Sequence, residues 1–155
     1  MADEQTVVIE HPNRRKAASQ LARLVVIVLL LVSAALVLIV SIGGWDTIEG
    51  AKPLQVAFIV VYVVMALFVA RWARGVLPMI AALAVILGIF GAVAAPAWFD
   101  RDKSGFTDPP ISSGMLGLIC VLIVLVQVAL VISAMIGFRQ QWNVEVERRR
   151  EPAHA

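Results

Sequence analysis

Four long stretches of this chain contain no charged side chain. They cover residues 24–45, 53–70, 76–99 and 109–138. A bilayer core about 30 Å thick is crossed by about 20 helical residues, because an α-helix rises about 1.5 Å per residue. Each stretch is long enough for one crossing, and the pattern therefore predicts an all-α membrane protein, a four-transmembrane-helix bundle. The spans are expected at about 24–45, 53–70, 76–98 and 112–138.

The composition indicates the same class of protein. Hydrophobic residues make up 61% of the chain and charged residues 15%, against about 45–50% and about 25% in an average soluble domain. These values exclude most water-soluble enzymes and a disordered or nucleic-acid-binding tail. The one cysteine, Cys120, lies inside an apolar stretch and cannot form an intramolecular disulfide. We expect a lipid bilayer as the surrounding partner and no nucleic acid.

The four spans form one domain, residues 24–138, between two more polar segments. Residues 1–23 precede this domain and residues 139–155 follow it. Pro53 suits the first turn of the second helix, where its missing N–H is not needed. Ser112 is a favourable N-cap for the fourth helix, because its hydroxyl can accept a hydrogen bond from a free backbone N–H.

Lysine and arginine are distributed unequally between the two ends of the predicted bundle. Three of them, Lys52, Arg101 and Lys103, lie at the end with the first and third loops. Ten lie at the opposite end: Arg14, Arg15, Lys16, Arg23, Arg71, Arg74, Arg139, Arg148, Arg149 and Arg150. Because positively charged loops stay in the cytoplasm, both termini are expected there. Abundant Ala, Val and Arg indicate a GC-rich bacterial genome, and hence a multi-pass protein of a bacterial inner membrane.

Tryptophans mark the edges of the spans. They are Trp45, Trp72, Trp98 and Trp142. Tryptophan is enriched where a membrane meets water, because its ring is apolar while its N–H can reach a polar partner. The four positions are therefore typical of an interfacial aromatic belt.

Small side chains recur at steps of four residues in the third and fourth spans. The third span contains Ala84, Gly88 and Ala92, and the fourth contains Ala129, Ser133 and Gly137. Small residues allow helix backbones to approach closely, which drives helix association in lipid. We expect these residues at helix contacts, with the third span as the central helix; the alternative is that Ala and Gly are simply common in such spans. Gln127 lies mid-span, so its amide should face a neighbouring helix or another subunit, because an unpaired amide is costly in hydrocarbon.

The four spans contain no Asp, Glu, Lys, Arg or His. Ion-coupled transporters, pumps and voltage sensors place ionisable groups at membrane depth, and a b-type haem requires axial ligands there. The serines of the spans lack an intramembrane base, and no HExxH, GxSxG or Gly-rich phosphate loop occurs. The sequence therefore disfavours a self-contained enzyme and a cofactor bound within the membrane.

The loop before the fourth span resembles the first nine positions of an EF-hand calcium loop. Such loops place oxygen ligands at positions 1, 3, 5, 7 and 9 and a glycine at position 6. Here Asp100, Asp102, Ser104 and Asp108 occupy positions 1, 3, 5 and 9, and Gly105 occupies position 6. The bidentate glutamate expected at position 12 is replaced by Ile111, after Pro109 and Pro110. The resemblance implies a weak calcium site, whereas a polar turn between two spans is the favoured alternative.

Two interpretations are open for the polar tails. Residues 6–9 (Thr-Val-Val-Ile) favour a β-strand, and residues 142–147 alternate apolar and polar side chains with the period of a strand. The two segments could pair with each other or add to the sheet of a partner. The other interpretation, which we favour, continues the fourth helix through Glu147.

These observations favour a non-enzymatic accessory, scaffold or assembly subunit, which acts through helix packing and its tails. Its partner is expected to be another membrane protein or further copies of the same chain. The alternative is a small oligomeric channel or transporter without ion-coupling residues in the membrane; Ser33, Gln55 or Gln127 would then face a wet axis. A third possibility is an enzyme subunit that borrows its active site from a partner.

Overall fold

The structure, a computed structural model, describes residues 7–106 and 109–149. The first strand and helix are β1 (Val7–Glu10) and α1 (Ala17–Gly43), separated by a 3-10 turn, Pro12–Arg15. They are followed by α2 (Lys52–Ala70), a second 3-10 turn at Arg74–Val76, α3 (Leu77–Arg101), α4 (Ser113–Arg139) and β2 (Val146–Arg149). All four helices are long and apolar enough to cross a membrane, with mean hydropathy between 2.4 and 3.3 in their most apolar windows. The prediction of four long apolar helices is confirmed.

The helix ends have local causes. The helix α1 begins at Ala17, well before its uncharged stretch, because residues 17–23 include alanine, leucine, glutamine and arginine, which have good helix propensity. Pro53 lies in the first turn of α2. The hydroxyl of Ser112 accepts a hydrogen bond of 3.4 Å from the backbone N–H of Met115 at the start of α4. Gly44 follows the last residue of α1 and closes it with a hydrogen bond to the carbonyl of Val40.

Successive helices run in opposite directions, so the bundle has two different ends. The end with β1, β2 and loop 71–76 is called the termini end, and the end with residues 44–51, 102–106 and 109–112 is called the loop end. The helix α1 packs closely against α2 and α4, and α3 packs mainly against α4. The expectation that the third span is central is therefore wrong: α4 is the more contacted helix, because it lies between α1 and α3.

The contact face of α3 differs from the expected stripe of small residues. Ala84 is fully buried and Gly88 is half-buried, but Ala92 is exposed. A step of four residues drifts about 40° around a helix of 3.6 residues per turn, so the third member of the stripe leaves the contact. The buried face of α3 instead continues from Ala84 through Gly91 and Ala95.

The tails form a two-stranded antiparallel sheet, here called the ribbon. Val7 pairs with Arg149, and Glu10 pairs with Val146. The favoured interpretation of a helix through Glu147 is therefore wrong, and the fold is not purely helical. The physical reason is local, because Gln141 has a φ of 49°, which ends the helix and leaves the alternating segment free to pair with β1.

Candidate functional site

A chain of hydrogen bonds crosses the middle of the bundle. The Tyr62 hydroxyl of α2 donates to Gln127 Oε1 of α4 (2.8 Å), and Gln127 Nε2 donates to Ser33 Oγ of α1 (2.9 Å). Ser33 Oγ in turn donates to the carbonyl of Leu29 (2.7 Å). We call Ser33, Tyr62 and Gln127 the polar cluster. The amide of Gln127 thus faces two neighbouring helices of its own chain.

The polar cluster has a structural rather than a reactive character. All three side chains are buried, and within the described part of the chain no buried side-chain nitrogen or oxygen lacks a hydrogen-bond partner. A nucleophile needs an adjacent base, and the hydrogen-bond partners of the cluster are hydroxyl, amide and backbone carbonyl groups. Sequence analysis singled out Ser33 and Gln127 but did not identify Tyr62 as their partner, because nothing in the sequence aligns α2 with α4.

A second group of interacting residues covers the termini end of the bundle. We call residues 7–16, 71–76 and 140–149 the terminal cap. Arg23 of α1 stacks over the ring of Trp72, with its guanidinium carbon 4.6 Å from the ring centre. The same guanidinium donates hydrogen bonds to the carbonyls of Val69 and Ala70 at the end of α2. A cation is favourable at this position because the last carbonyls of a helix carry partial negative charge.

Arg14 attaches the N-terminal segment to the C-terminal segment. Its Nε donates to the carbonyl of Trp142 (3.2 Å), and its Nη2 donates to Asn143 Oδ1 (3.2 Å). Trp142 is fully buried, and its ring meets that of Trp72 edge to face at 5.3 Å between centres. Asn13 adds a hydrogen bond to the carbonyl of Gln141 (3.0 Å). The segments 7–16 and 140–149 are therefore joined through a tryptophan pair and not only through the ribbon.

Two residues of the terminal cap have a left-handed backbone. Trp72 has a φ of 63° and Gln141 a φ of 49°, where glycine is the usual residue. At the end of α2 the N–H of Trp72 bonds to the carbonyl of Val69, and the N–H of Ala73 bonds to that of Phe68. This is a Schellman motif, which satisfies carbonyls that a helix end leaves free. A tryptophan in this conformation costs about 1–2 kcal/mol, and the edge-to-face contact with Trp142 and the stacked Arg23 offset that cost.

Further polar contacts connect the terminal cap to α1 and α4. Arg74 donates to the carbonyl of Phe138 (2.7 Å) and stacks on its ring at 4.2 Å. Gln140 Nε2 donates to the carbonyl of Ala18, and its Oε1 accepts from the indole N–H of Trp142. Three of the arginines used to predict orientation, Arg14, Arg23 and Arg74, therefore also hold helices and tails together.

The tryptophans do not form a uniform interfacial belt. Trp142 is fully buried, and Trp98 is 6% exposed. Gly44 and Gly137 leave room for these rings, because a Cβ on Gly44 would stand 2.7 Å from Trp98, and one on Gly137 would stand 3.1 Å from Trp142. Trp45 alone is largely exposed among the four. The interpretation of these residues as a belt is corrected: two of them are core residues at the ends of the bundle.

The remaining small residues of α4 have unequal surroundings. Gly137 is buried beneath Trp142, whereas Ala129 and Ser133 are half-buried. Gly91 of α3 packs tightly against the α4 backbone, because an added Cβ there would stand 3.2 Å from the backbone oxygen of Cys120.

The calcium-like loop is divided between a helix and a turn. Asp100 lies in the last turn of α3, and its carboxylate is 3.4 Å from Lys103 Nζ. Asp102 points towards the start of α4, where a Cβ on Gly114 would stand 2.6 Å from Asp102 Oδ2. Ser104 is exposed. The carboxylate of Asp100 thus faces Lys103, and that of Asp102 lies beside the N-terminal end of α4.

The fourth expected ligand of this loop, Asp108, lies outside the described residues. Across 7–106 and 109–149, no group of three or more His, Cys, Asp or Glu side chains is arranged to hold a metal ion. Gly105 has a φ of 110°, so this position does require glycine, as the sharp turn of the pattern predicts.

Comparison with family models, with curated proteins and with solved structures found no match to this chain. The function of the chain is therefore inferred from its own residues and their geometry.

Proposed function

We propose that the chain is a multi-pass protein of a cell membrane, specifically a bacterial inner membrane, with both termini in the cytoplasm. Four helices of sufficient length and hydropathy support the membrane location. The excess of arginine and lysine at the termini end supports the orientation. A reporter fused after Ala155 tests it, since alkaline phosphatase at this position is expected to be inactive. Phosphatase activity in intact cells would contradict the orientation.

Within that membrane we infer a non-enzymatic accessory, scaffold or assembly subunit that presents its ribbon to a partner protein. The observation that carries this proposal is the attachment of the ribbon to the bundle through Arg14, Trp72 and Trp142. An isolated two-stranded ribbon is marginally stable in water. Here it is fixed to a helical body, so a partner strand would meet an already ordered edge and would lose less conformational entropy on binding.

The ribbon has the features of a site for strand addition. Within the described residues it contains two strands, so each strand has one edge without a neighbour. Ile9 is 56% exposed, and Val7 and Val146 are also exposed. Main-chain hydrogen bonds to an unpaired edge supply affinity in this mode of recognition, and exposed side chains supply specificity.

The polar cluster supports this proposal over the alternative of a channel. A pore would require polar groups on an outward face of the chain, where copies could surround a wet axis. Ser33 and Gln127 are instead buried inside one copy and hydrogen-bonded to each other. Gln55 is also engaged by Ser41 of the same chain at 2.7 Å.

Affinity purification in mild detergent with chemical cross-linking tests the assembly role. The test variant is Ile9→Lys, which places a charge on the edge of the ribbon. The matched control is Val144→Lys, which changes another exposed aliphatic residue of the terminal cap outside the strands. Recovery of the partner is expected to fall about tenfold for Ile9→Lys, which corresponds to about 1.4 kcal/mol of binding energy, and to be retained by Val144→Lys.

Two outcomes would contradict the assembly role. One is equal partner recovery by the wild type and Ile9→Lys. The other is ion flux through liposomes that contain the purified chain alone, which would favour the channel.

A further inference from the structure

A groove lies between α2 and α3 near the loop end. Its volume is about 310 Å³, within the range of ligand pockets. Its lining comes from all four helices and is almost entirely apolar, including Val37, Phe58, Leu87 and Cys120. It exists because α2 and α3 are the neighbouring helices that do not pack closely.

The groove opens sideways, between the two helices. Leu54, Phe90 and Val93 line it and are 43%, 43% and 70% exposed. Under the membrane location proposed above, these faces meet lipid and not water. An apolar cavity of this kind does not hold ordered water, because water needs several polar partners.

The length of the groove matches one leaflet of a bilayer. Its α3 wall extends from Leu87 to Trp98. At about 1.5 Å per residue this wall is about 16 Å long, close to half of a hydrocarbon core about 30 Å thick. The groove therefore begins at the membrane surface of the loop end and ends near the middle of the bilayer.

The side-chain amide of Gln55 lines the groove and can form a further hydrogen bond. Ser41 Oγ lies 2.7 Å from both Gln55 Oε1 and the carbonyl of Val37, and its single proton serves one acceptor at a time. If the Gln55 amide were rotated to donate to Ser41 Oγ, one of its two N–H groups would still be free. In either orientation an N–H donor is therefore available at the wall of the groove.

A cation lies one helical turn nearer the membrane surface than this amide. Lys52 is three residues before Gln55 in the first turn of α2, so the two side chains share a face of the helix. Lys52 Nζ lies 4.8 Å from the ring centre of Trp45. From the membrane surface inwards, the order along α2 is thus a cation, an amide donor at the wall of the groove, and the apolar part of the groove.

We propose that this groove binds one glycerophospholipid, with an acyl chain between α2 and α3. The same order of groups occurs in such a lipid: an anionic phosphate, an ester carbonyl and a hydrocarbon chain. Lys52 pairs with the phosphate, and the Gln55 amide donates to the ester carbonyl. The inference rests on the proposed membrane location, but it is independent of the proposed partner protein.

Native mass spectrometry of the detergent-purified chain, titrated with dioleoyl phosphatidylglycerol, tests the site. The wild type is expected to bind one lipid saturably. Ala94→Phe, which fills the groove, is expected to bind about tenfold more weakly, equivalent to about 1.4 kcal/mol. The matched control is Ala82→Phe on an exposed face of α3 away from the groove, which should leave affinity unchanged. Unsaturable binding by the wild type, or equal binding by Ala94→Phe, would overturn the proposal.

A second pair of variants tests the polar contacts and does not depend on the stability of Ala94→Phe. Lys52→Gln is expected to weaken phosphatidylglycerol binding about threefold to tenfold, or about 0.7–1.4 kcal/mol. It should leave the binding of dioleoylglycerol, which has no phosphate, unchanged. Gln55→Leu should weaken both lipids. If Lys52→Gln does not selectively weaken phosphatidylglycerol binding and Gln55→Leu does not weaken the binding of both lipids, no lipid is held in the proposed orientation.

The proposed membrane location and the proposed lipid site can be refuted by different results. A chain that stays monodisperse in water without detergent would refute that location. A chain that needs detergent but binds no lipid saturably would refute only the lipid site.

Discussion

Gln127 illustrates how a residue that is unfavourable in hydrocarbon becomes a contact between helices. Its amide accepts from Tyr62 and donates to Ser33, so three helices share one set of polar groups. Interhelical hydrogen bonds in membranes stabilise by about 0.6 kcal/mol each on average. The polar cluster therefore contributes modest stability, while its geometry favours one rotational setting of α1, α2 and α4.

A double-mutant cycle measures this contribution. Gln127→Leu keeps the side-chain volume and removes two hydrogen bonds, so we expect a loss of about 1 kcal/mol in the free energy of unfolding. Tyr62→Phe removes one and should cost about 0.6 kcal/mol. The double variant should lose less than the sum, because Tyr62 has no acceptor once Gln127 is replaced. Unfolding in mixed micelles with increasing SDS provides the measurement, and strict additivity would show that the two residues are not coupled.

At the scale of elements, the packing of α3 against α4 depends on how closely each glycine of α3 approaches α4. An alanine Cβ at Gly91 would stand 3.1 Å from Val124 Cγ2 and 3.2 Å from the backbone oxygen of Cys120. At Gly88 the nearest atom is Gln127 Cβ at 3.5 Å, an ordinary van der Waals distance. The two glycines differ by about 60° around the helix axis, and Gly91 packs more tightly against α4 than Gly88 does.

Alanine substitutions at Gly91 and Gly88 are expected to have different effects on stability. Gly91→Ala is expected to destabilise the bundle by about 1–3 kcal/mol, because a backbone atom must move. Gly88→Ala should be neutral or stabilising by up to about 1 kcal/mol, because alanine is the better helix former. The same SDS unfolding assay compares them. A stabilising Gly91→Ala would show that α3 and α4 can separate without cost.

The loop between α3 and α4 leads to a prediction about calcium. Asp100 faces Lys103, and Asp102 faces the positive N-terminal end of α4. We therefore expect no shift in thermal unfolding when calcium is added to about 10 mM, a concentration above the weak range of protein calcium sites. A calcium-dependent rise that Asp100→Ala abolishes would instead establish the site, with Asp108 as a candidate further ligand.

At the scale of the whole molecule, the terminal cap joins the first and last segments that the structure describes, residues 7–16 and 140–149. The ribbon contributes an ion pair between Glu10 and Arg148 (3.6 Å), and beside it His11 Nε2 lies 3.4 Å from Glu145 Oε1, but exposed polar pairs contribute little. The buried ring of Trp142 is the stronger connection, since it contacts the tail, loop 71–76 and the end of α4 together. Loss of this ring should therefore release both tails at once.

Limited proteolysis tests the release of the tails. Trp142→Ala removes a buried aromatic side chain worth about 3–5 kcal/mol in a well-packed site. Trypsin in detergent micelles should then cleave near Arg14 and Arg148 faster by about tenfold or more, because a loss above about 1.4 kcal/mol raises the open population by that factor. Trp45→Ala at the loop end is the control and should leave these cleavage rates unchanged. Protected tails in Trp142→Ala would show that the ribbon holds without the ring.

Some of this architecture can be predicted from local sequence because it depends on local chemistry. The uncharged stretches predict four helices because backbone groups in hydrocarbon must bond within their own segment. Pro53 and Ser112 lie at helix starts for reasons that involve only a few neighbouring residues. The terminal cap could be anticipated only in part, from arginines near helix ends and tryptophans at span edges.

What the sequence determined by itself is the number of long apolar helices and their approximate ends. Only the tertiary structure decided which helix is central, which glycine of α3 packs most tightly against α4, and that β1 pairs with β2 across the length of the chain. The physical reason is that periodicity describes each element alone. The rotation of one helix against another, and the pairing of distant strands, depend on side chains that meet only after the chain has folded.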